Sequence, residues 1–243
     1  MFDLDNIEEA YNKTNIISVG RLANEIVNNI PTTDLDLTNI INVDNQTDEE
    51  ISNLIVDSGF SIMVFDASDY DSAVRVAKIL NKQCFLSIAM CILPKDNEFN
   101  NDIKDKCIEI KQYVNNLFIN YYSSVLSSYI IYLYNSISKP GYIGIDIADI
   151  KDMLYSKNLA YYGVGEESDV CVALDKAMHD PLSSFKSTTT KAFINIDGSN
   201  IKGSEVKEVC RLAREKYNIK EIYLGFQYYK GCDKIRIEIL GVE

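Results

Sequence analysis

The amino-acid sequence predicts an α/β protein with a Rossmann-like first half, a central helix and an α+β second half. In the first half, short runs of β-branched and other apolar residues alternate with segments of helical periodicity, which is typical of a parallel sheet covered on both faces. A segment that is apolar nearly all round, residues 123–138, follows and ends at Pro140-Gly141. The second half ends in a strand that alternates between apolar and charged residues.

Four strands separated by helices are predicted in the first half. Residues Leu22, Ile26 and Ile30 recur at helical spacing and share one face of the first helix. Pro94 stops the fourth strand, since proline cannot donate to a sheet. The strands are predicted at residues 15–19, 39–43, 61–67 and 85–93, and the helices at residues 21–30, 48–57, 72–81 and 99–114.

The segment 123–138 is predicted to be a central helix that joins the two halves, because a helix without a polar face must be covered on every side. We therefore expect a Rossmann-like domain at 1–122, a connecting helix at 123–140 and an α+β domain at 141–243. In the second half, helices are predicted at residues 147–157, 168–179 and 204–217, and strands at residues 160–164, 192–196, 221–229 and 234–240.

The last two strands are predicted to form a hairpin around Lys230-Gly231. The alternation in the final strand predicts two faces of different character. Ile235, Ile237 and Ile239 are expected to face the core, while Lys234, Arg236 and Glu238 are expected to face out.

The composition is that of a globular protein with a proper core: 243 residues, 47% of them hydrophobic. A formal net charge of −12 argues against binding to nucleic acid or to anionic membranes. No apolar run approaches the roughly 18–20 residues that a membrane helix needs. The first ten residues, MFDLDNIEEA, are acidic and lack the pattern of a signal peptide. These observations predict a cytoplasmic protein with no direct membrane insertion.

The six cysteines contain no CxxC pair, and His179 is the only histidine. Most of the cysteines lie in apolar stretches, which favours reduced thiols in the core over disulfides or metal ligands. We expect no metal site and no Ser/His/Asp triad. His179 precedes Asp180-Pro181 near a predicted helix end, where it fits a partner of the helix dipole.

Several motifs of the second half resemble one known family. The stretches KPGYIGIDIADIKDML, AYYGVGEESDVCVALDKAMHDPL, KAFINIDG and IRIEILGVE resemble the C-terminal half of FtsZ, the bacterial relative of tubulin, with matching spacing over residues 139–243. The first half is similar more faintly: NIISVGRLANEIVNNI stands where the family has its first phosphate loop, and IINVDNQ, MVFDA and FLSIAMCILPK resemble its next three strands. The resemblance implies a tubulin/FtsZ-like fold with a trimmed Rossmann-like N-terminal domain.

The resemblance is weakest where the family binds the phosphates of GTP. A glycine-rich loop presents bare N–H groups there, but residues 65–77 read FDASDYDSAVRVA, with no glycine and with Asp66, Asp69 and Asp71. A carboxylate ~5 Å from a phosphate charge costs ~3 kcal/mol at an effective dielectric near 20. Two such contacts remove roughly four orders of magnitude of affinity.

Five residues remain at positions where the family contacts nucleotide, and we treat them as a vestigial site: Gly20, Arg21, Asn24, Ser68 and Ser124. Ser124 stands on the predicted central helix where the family has its base-reading Asp. Arg21 either pairs with a phosphate or lies solvated at a helix start.

The acidic loop of the second half keeps its chemistry. In FtsZ this loop reaches the nucleotide site of the next subunit, where its carboxylates polarise the attacking water, and Asp146 and Asp149 match those positions. The resemblance thus implies catalytic groups that act in trans. A second interpretation is that Asp146 caps helix 147–157 and that Asp149 stabilises its first turn. The two interpretations are compatible.

These features favour an FtsZ-like interaction protein, linked to cell division or the bacterial cytoskeleton, with little or no GTP binding or hydrolysis and no cofactor. Its expected partner is FtsZ or a second copy of itself, docked head to tail, so that the acidic loop caps or modulates a filament. The alternative is a polymerising GTPase that holds GTP through a rebuilt phosphate loop. A third possibility is a protein that binds a small molecule in the cleft between the halves.

Overall fold

The structure, a computed structural model, describes residues 14–31, 38–55, 58–94, 101–138, 146–155, 160–180, 189–228 and 233–242. It contains a five-stranded parallel sheet, here sheet A, and a four-stranded mixed sheet, here sheet B. The predicted α/β class with two differently built halves is therefore confirmed. The chain divides into two compact units, residues 1–131 and residues 132–243. The domain boundaries predicted from the sequence, near residues 122 and 140, stay a prediction.

The first unit alternates strands and helices. A single 3₁₀ turn, Ala67–Asp69, connects the third strand to the helix that follows it. The elements are β1 Thr14–Val19, α1 Arg21–Asn28, β2 Thr38–Asn42, α2 Asp48–Leu54, β3 Ser58–Asp66, α3 Tyr70–Gln83, β4 Cys84–Leu93, α4 Asn101–Lys111, β5 Asn116–Tyr121 and α5 Leu126–Ser138, which runs into the second unit.

Sheet A has the strand order β2-β1-β3-β4-β5, and every neighbouring pair is parallel. Successive residues such as Ile16 and Ile17, which point to opposite faces, are both 0% exposed. Both faces of the sheet are thus covered. This explains why the strands are continuous apolar runs in the sequence.

Strand β5 was not predicted from the sequence. Its apolar residues Leu117 and Phe118 are flanked by Asn116 and Asn120, which interrupt the run that would indicate a strand. Both asparagines are nevertheless buried, and Asn116 accepts a hydrogen bond from the backbone of Leu117. A strand at the edge of a sheet can carry such polar positions if its side chains find partners nearby.

Helix α5 is the predicted central helix, shortened at its start. It begins at Leu126 rather than at residue 123, because residues 124 and 125 form a turn. Every residue of α5 is buried or half-buried, as the apolar character of the segment predicted.

The second unit contains helices on a mixed sheet. Its elements are α6 Ile147–Leu154, β6 Tyr161–Glu167, α7 Val170–Met178, β7 Lys191–Gly198, α8 Gly203–Glu215, β8 Glu221–Tyr228 and β9 Ile235–Val242. Sheet B has the order β6-β9-β7-β8, with β9 antiparallel to both of its neighbours and β8 parallel to β7.

The predicted hairpin of the last two strands is wrong, since β7 lies between β8 and β9. The physical reason is burial: all six residues Ile237–Val242 are buried, and such a strand gains most when it is paired along both edges and covered on both faces. A short connection on its own does not make two strands neighbours.

The two predicted faces of β9 exist, but the charged face is exposed only at Lys234 and becomes buried toward Glu238. Ile237 and Ile239 pack in the core formed with α7 and α8. Glu238, on the opposite face, is 2% exposed and contacts Ser136 of α5. The alternation therefore predicted the exposure of Lys234 correctly and the surroundings of Glu238 wrongly. Within the described part of the chain, no helix has the length and apolar character needed to cross a membrane.

Candidate functional site

The candidate site lies at the carboxyl edge of sheet A. Gly20 directly follows β1, Asp44 comes shortly after β2, and Asp66 is the last residue of β3. The strand order changes direction at β1, between β2 and β3, and the crevice at such a switch point is where open α/β sheets bind ligands. The sequence therefore brings these three residues to the expected binding edge.

Gly20 is the turn between β1 and α1. Its φ of +93° lies in the region that favours glycine, and its N–H donates to Oδ1 of Asp44 at 3.2 Å. The side-chain amide of Asn24, one turn into α1, donates to the other oxygen of the same carboxylate. Asp44 thus ties the turn and the first helix together.

Asp66 occupies the N-terminus of α1. The backbone N–H of Leu22 donates to its Oδ2 at 2.8 Å, and that of Ala23 donates to its Oδ1 at 2.7 Å. The residue is only 4% exposed. The first N–H groups of a helix lack partners within the helix and, with the helix dipole, attract anions. Here an acid of the chain itself fills that position.

Burial raises the pKa of Asp66 above its ordinary value, against the lowering effect of the hydrogen bonds from Leu22 and Ala23. The nearby carboxylates of Asp69 and Asp44 raise the pKa further. Three carboxyl groups thus converge on the start of α1, and the site carries negative charge where a phosphate-binding site needs positive potential.

Little space is left above Gly20. A Cβ atom at this position would lie 2.7 Å from Oδ2 of Asp69 and 2.8 Å from the carboxyl group of Asp66. Ser68 donates its hydroxyl hydrogen to Oδ2 of Asp69 at 2.9 Å, which holds that carboxylate in place. The side chains of the β3–α3 connection therefore close the volume over the turn.

The β3–α3 connection is too short to form an anion nest. The 3₁₀ turn Ala67–Asp69 leads directly into α3 at Tyr70, two residues before the predicted helix start. Asp69 precedes the helix and Asp71 lies in its first turn, where acidic side chains suit the helix dipole. The acids predicted to spoil phosphate binding are thus part of the helix start.

The structure places the five residues of the predicted vestigial site in three parts of the first unit. Gly20 and Asn24 both donate to Asp44, and Arg21 is exposed at the first position of α1. Ser68 is exposed in the 3₁₀ turn.

Ser124 lies in the turn before α5, not on the helix where it was predicted, and it is exposed. Residues on either side of this turn reach α1: the Tyr122 hydroxyl donates to Glu25, and the Ser127 hydroxyl donates to the backbone oxygen of Ile26. The turn thus flanks α1, which begins after Gly20 and contains Arg21 and Asn24.

Asp44 and the capping role of Asp66 were missed in the sequence. The available signal was position: both acids stand at the carboxyl ends of predicted parallel strands, which meet at one edge of a sheet. Asp66 was noted as an acid near the loop, but not as the ligand of a helix N-terminus.

Asp146 is the N-cap of α6, as one of the two interpretations of the sequence proposed. Its Oδ1 accepts a hydrogen bond from the Ala148 N–H at 2.9 Å, and its own side chain is exposed. Asp149, in the first turn of the helix, is also exposed. The remaining residues of the acidic loop, including Gly144, lie outside the described residues.

Asp149 belongs to an acidic surface around Tyr223 of β8. The Tyr223 hydroxyl donates to Glu221. This hydrogen bond, burial and the charges of Glu221, Asp149 and Asp152 raise the pKa of Tyr223 to about 12. The start of α6 therefore presents concentrated negative charge to solvent.

The described side chains form no candidate metal site. Across the described ranges, no group of three or more His, Cys, Asp and Glu side chains is arranged to hold a metal ion.

Solved structures of one class of protein share this architecture of a parallel sheet, a buried connecting helix and a mixed sheet. A mutant FtsZ from M. jannaschii superposes with a TM-score of 0.81 at 19% identity, over 99% of this chain and 93% of that one. An FtsZ dimer described as empty, also from M. jannaschii, gives a TM-score of 0.76 at 18% identity, over 99% of this chain and 90% of that one.

CetZ proteins of archaea show the same likeness. CetZ from Methanosaeta thermophila gives a TM-score of 0.78 at 12% identity, over 95% of this chain and 86% of that one. CetZ2 from Haloferax volcanii, in a protofilament bound to GTPγS, gives a TM-score of 0.70 at 13% identity, over 94% of this chain and 92% of that one. No protein-family model and no curated sequence matches the chain.

The chain therefore has the tubulin/FtsZ fold, as the resemblance of its motifs predicted. Within that fold its structural neighbours are FtsZ and CetZ proteins.

Proposed function

We propose that this protein is an FtsZ-like interaction protein of the cytoskeleton or of cell division that binds little or no GTP itself. The observation that carries the proposal is the Asp66 carboxylate bound to the N–H groups of Leu22 and Ala23. Those groups are the ones that a phosphate would need at the start of α1.

A phosphate faces two separate costs at this site. It must first displace the Asp66 carboxylate from the N–H groups of Leu22 and Ala23. Each of these hydrogen bonds to a charged group has a net value of about 1.5–3 kcal/mol. It must then lie beside the carboxylates of Asp44, Asp66 and Asp69, where each contact at ~5 Å costs ~3 kcal/mol at an effective dielectric near 20. Together these costs exceed what a short loop without glycine can return.

The acidic start of α6 supports the interaction half of the proposal. Asp146 and Asp149 are exposed, and they match the carboxylates that act on a neighbouring subunit's nucleotide in FtsZ. Two of the structural neighbours are themselves described as a dimer and as a protofilament. In this protein the two aspartates would orient water against the γ-phosphate of a GTP that a partner holds.

A protein with one competent face caps a filament. Head-to-tail growth uses two different surfaces, and it continues only if each subunit offers both. This chain keeps the acidic face and has filled its own nucleotide site. It can join a GTP-bearing subunit of FtsZ or a related filament protein, and it cannot offer nucleotide to the next.

The nucleotide half is tested by titrating the purified protein with fluorescent GTP. No saturable binding is expected at micromolar concentrations. Asp66→Gly, which frees both N–H groups and removes a charge, should bind GTP more tightly than the wild type. Asp71→Gly is the matched control, since it removes a nearby exposed acid and leaves the α1 start intact. Micromolar binding by the wild type that is lost in Arg21→Ala would establish the alternative, a GTPase with a rebuilt loop.

The interaction half is tested separately with polymerising FtsZ. Substoichiometric amounts of the protein should co-sediment with filaments and shorten them, as followed by light scattering, and should change phosphate release. Asp146→Ala/Asp149→Ala should abolish the change in phosphate release. If the wild type neither co-sediments nor alters assembly, the FtsZ partnership is wrong, and concentration-dependent sedimentation of the protein alone then tests self-association.

A further inference from the structure

A buried group of charged and polar side chains lies on the second face of sheet B. Asn195 and Asp197 of β7 stand directly opposite Glu238 and Arg236 of β9, so the four side chains form a compact square on one face. Asp197 is 5% exposed and Glu238 is 2% exposed. The other face of the same strands carries the apolar core.

Arg236 is the single cation of this square. Its Nη2 lies 2.9 Å from Oδ2 of Asp197, and its Nε lies 3.2 Å from Oε1 of Glu238. The side-chain amide of Asn195 donates to Oδ1 of Asp197 at 3.0 Å. Asp197 is therefore well supplied with donors, as an ionised carboxylate requires.

The C-terminal half of α5 packs on this square. The guanidinium of Arg236 lies 4.4 Å from the ring centre of Tyr132, and the hydroxyl of Ser136 contacts Oε2 of Glu238. The Gln227 side chain of β8 donates to the backbone oxygen of Asn135 at 3.3 Å. The segment Tyr132–Ser138 is thus held on sheet B by polar contacts.

A proton on Glu238 would let the Ser136 hydroxyl serve both of its contacts. The Ser136 hydroxyl lies 2.8 Å from the backbone oxygen of Tyr132, one turn earlier in α5. A serine hydroxyl has one hydrogen to donate. If that hydrogen goes to Tyr132, the contact between Ser136 and Oε2 of Glu238 needs a hydrogen from the carboxyl group. Both contacts of the Ser136 hydroxyl are then satisfied, with Glu238 donating to Ser136 and Ser136 donating to Tyr132.

The balance of charges also favours a proton on Glu238. With Asp197 and Glu238 both ionised, one guanidinium would face two buried carboxylates, and the square would carry an uncompensated negative charge. With Glu238 neutral, the square is an Arg–Asp ion pair and a hydrogen-bonded acid, with no net charge.

We propose that Glu238 is a neutral carboxylic acid in the folded protein near neutral pH, and that its proton holds the Tyr132–Ser138 segment of α5 on sheet B. Loss of the proton breaks the hydrogen bond to Ser136 and leaves two carboxylates on one guanidinium. Alkaline pH therefore releases this segment, and the square is a proton-operated latch.

Burial of Glu238, and secondly the charge of Asp197, raise the pKa of Glu238 to about 8, against the lowering effects of Arg236 and of the hydrogen bonds that Ser136 and Asn195 can make to the ionised form. The other groups around it are few. On β6, Val164 stands opposite Glu238 and the exposed Glu166 opposite Arg236. Asp180 accepts a hydrogen bond from the Val164 N–H, beyond β6.

Helices α5 and α6 also contact β9 or β7. Helix α5 contributes Tyr132 and the Ser136 hydroxyl, and the charged residues of α6 are Asp149, Lys151 and Asp152, of which the two acids act on Tyr223. The balance at Glu238 is therefore set by Arg236 and Asp197.

The sign of the pH effect follows from the raised pKa. Protonation of Glu238 stabilises the fold fully below the unfolded value of 4.5, and this contribution is lost as the pH rises to about 8. Glu238→Gln is the matched variant, because its amide copies the neutral acid and does not titrate. Between about pH 5 and pH 8, the unfolding equilibrium constant of the wild type should rise about tenfold per pH unit relative to that of Glu238→Gln, measured with urea. A flat ratio, or one that falls with pH, overturns the proposal.

Hydrogen exchange shows whether the latch acts on α5. At pH 9 the amides of Tyr132–Ser138 should exchange faster in the wild type than in Glu238→Gln at the same pH, and at pH 6 they should exchange equally. The amides of β1 serve as the internal control and should not differ between the two proteins. Equal exchange of the α5 amides at both pH values contradicts the latch.

Infrared spectroscopy keeps the proposal testable if Glu238→Gln fails to fold. The wild type at pH 7 should show the carbonyl stretch of a neutral carboxylic acid, and the band should disappear by pH 9. Ser136→Ala should shift that band, since it removes the group to which Glu238 donates, and this assigns the band to Glu238. No such band at pH 7 means that Glu238 is ionised and that the proposal is wrong.

Discussion

The N-termini of α1 and α6 each bind an aspartate, and they do so in opposite ways. The N-terminus of α1 binds Asp66, a buried residue from β3 that lies 44 positions further along the chain. The N-terminus of α6 binds Asp146, an exposed residue that accepts a hydrogen bond from the N–H of Ala148, two positions later. In both helices a carboxylate accepts hydrogen bonds from N–H groups that have no partner within the helix. The carboxylate comes from a distant residue in α1 and from a neighbouring residue in α6.

The difference teaches what each helix start can do for function. A distant, buried acid occupies two N–H groups at the start of α1 and joins that helix to β3. A local, exposed acid leaves the start of α6 open to a partner and contributes little beyond its own helix. The starts of α1 and α6 therefore differ in what they leave accessible to a ligand or partner.

The largest effect is expected from filling the space above Gly20. Gly20→Ala must place a Cβ 2.7–2.8 Å from the carboxyl atoms of Asp69 and Asp66, at a φ of +93°. The backbone strain of about 1–2 kcal/mol and the crowding of about 1–3 kcal/mol together predict a loss of about 2–5 kcal/mol. Urea unfolding measures it.

Gly203→Ala is the control for that variant. Gly203 is the first residue of α8, and a Cβ there would meet no atom within 4 Å. The substitution should be neutral or stabilise the fold by up to about 1 kcal/mol. Equal losses in the two variants would mean that the α1 start is not closed by the carboxylates.

Removing the distant acid comes next. Asp66→Ala leaves the N–H groups of Leu22 and Ala23 without their acceptor in a buried place, and a loss of about 2–3 kcal/mol is expected. Asp66→Asn keeps an acceptor oxygen and should lose less than Asp66→Ala. Calorimetric melts of the two variants compare them directly, and an unchanged melt for Asp66→Ala would remove the distinction between the two helix starts.

The smallest effects are expected at the local acid. Asp146→Ala removes one exposed cap and should cost about 1 kcal/mol, while Asp146→Ser should restore most of it. Asp149→Ala loses its interaction with the helix dipole, about 0.3–1 kcal/mol at low salt. Chemical denaturation at low and high salt measures both. A loss at Asp146 as large as that at Asp66 would show that α6 depends on its cap as strongly as α1 does.

The fold was predictable where local patterns decide it. The apolar runs of β1, β3 and β4 are buried on both faces, so each is recognisable without its neighbours. The order of the strands in sheet B was not, because β8 and β9 are close in sequence while β7 lies between them in space. Strand β5 escaped because its buried asparagines look like loop residues.

The site was predictable to the same extent. The cap at Asp146 follows from its place two residues before an N–H at a helix start, which a local pattern shows. Asp66 and Asp44 act across 44 and 24 positions, and nothing near them in the sequence names Leu22 or Gly20 as the partner. The absence of glycine from residues 65–77 is visible in the sequence, but the hydrogen bonds from Leu22 and Ala23 to Asp66 become apparent only when the strands are assembled.

The position of β9 also decides when the second unit can be completed. As a ribosome makes this chain, β6, β7 and β8 emerge before β9, yet β9 is the strand that joins β6 to the other two. Until residues 235–242 are available, sheet B exists as two separate parts with open edges, which are prone to wrong pairing. The five strands of sheet A, by contrast, are all complete once residue 121 has been made. Nascent chains stalled before β9 should therefore carry a folded first unit and an unfinished second one that needs protection by chaperones.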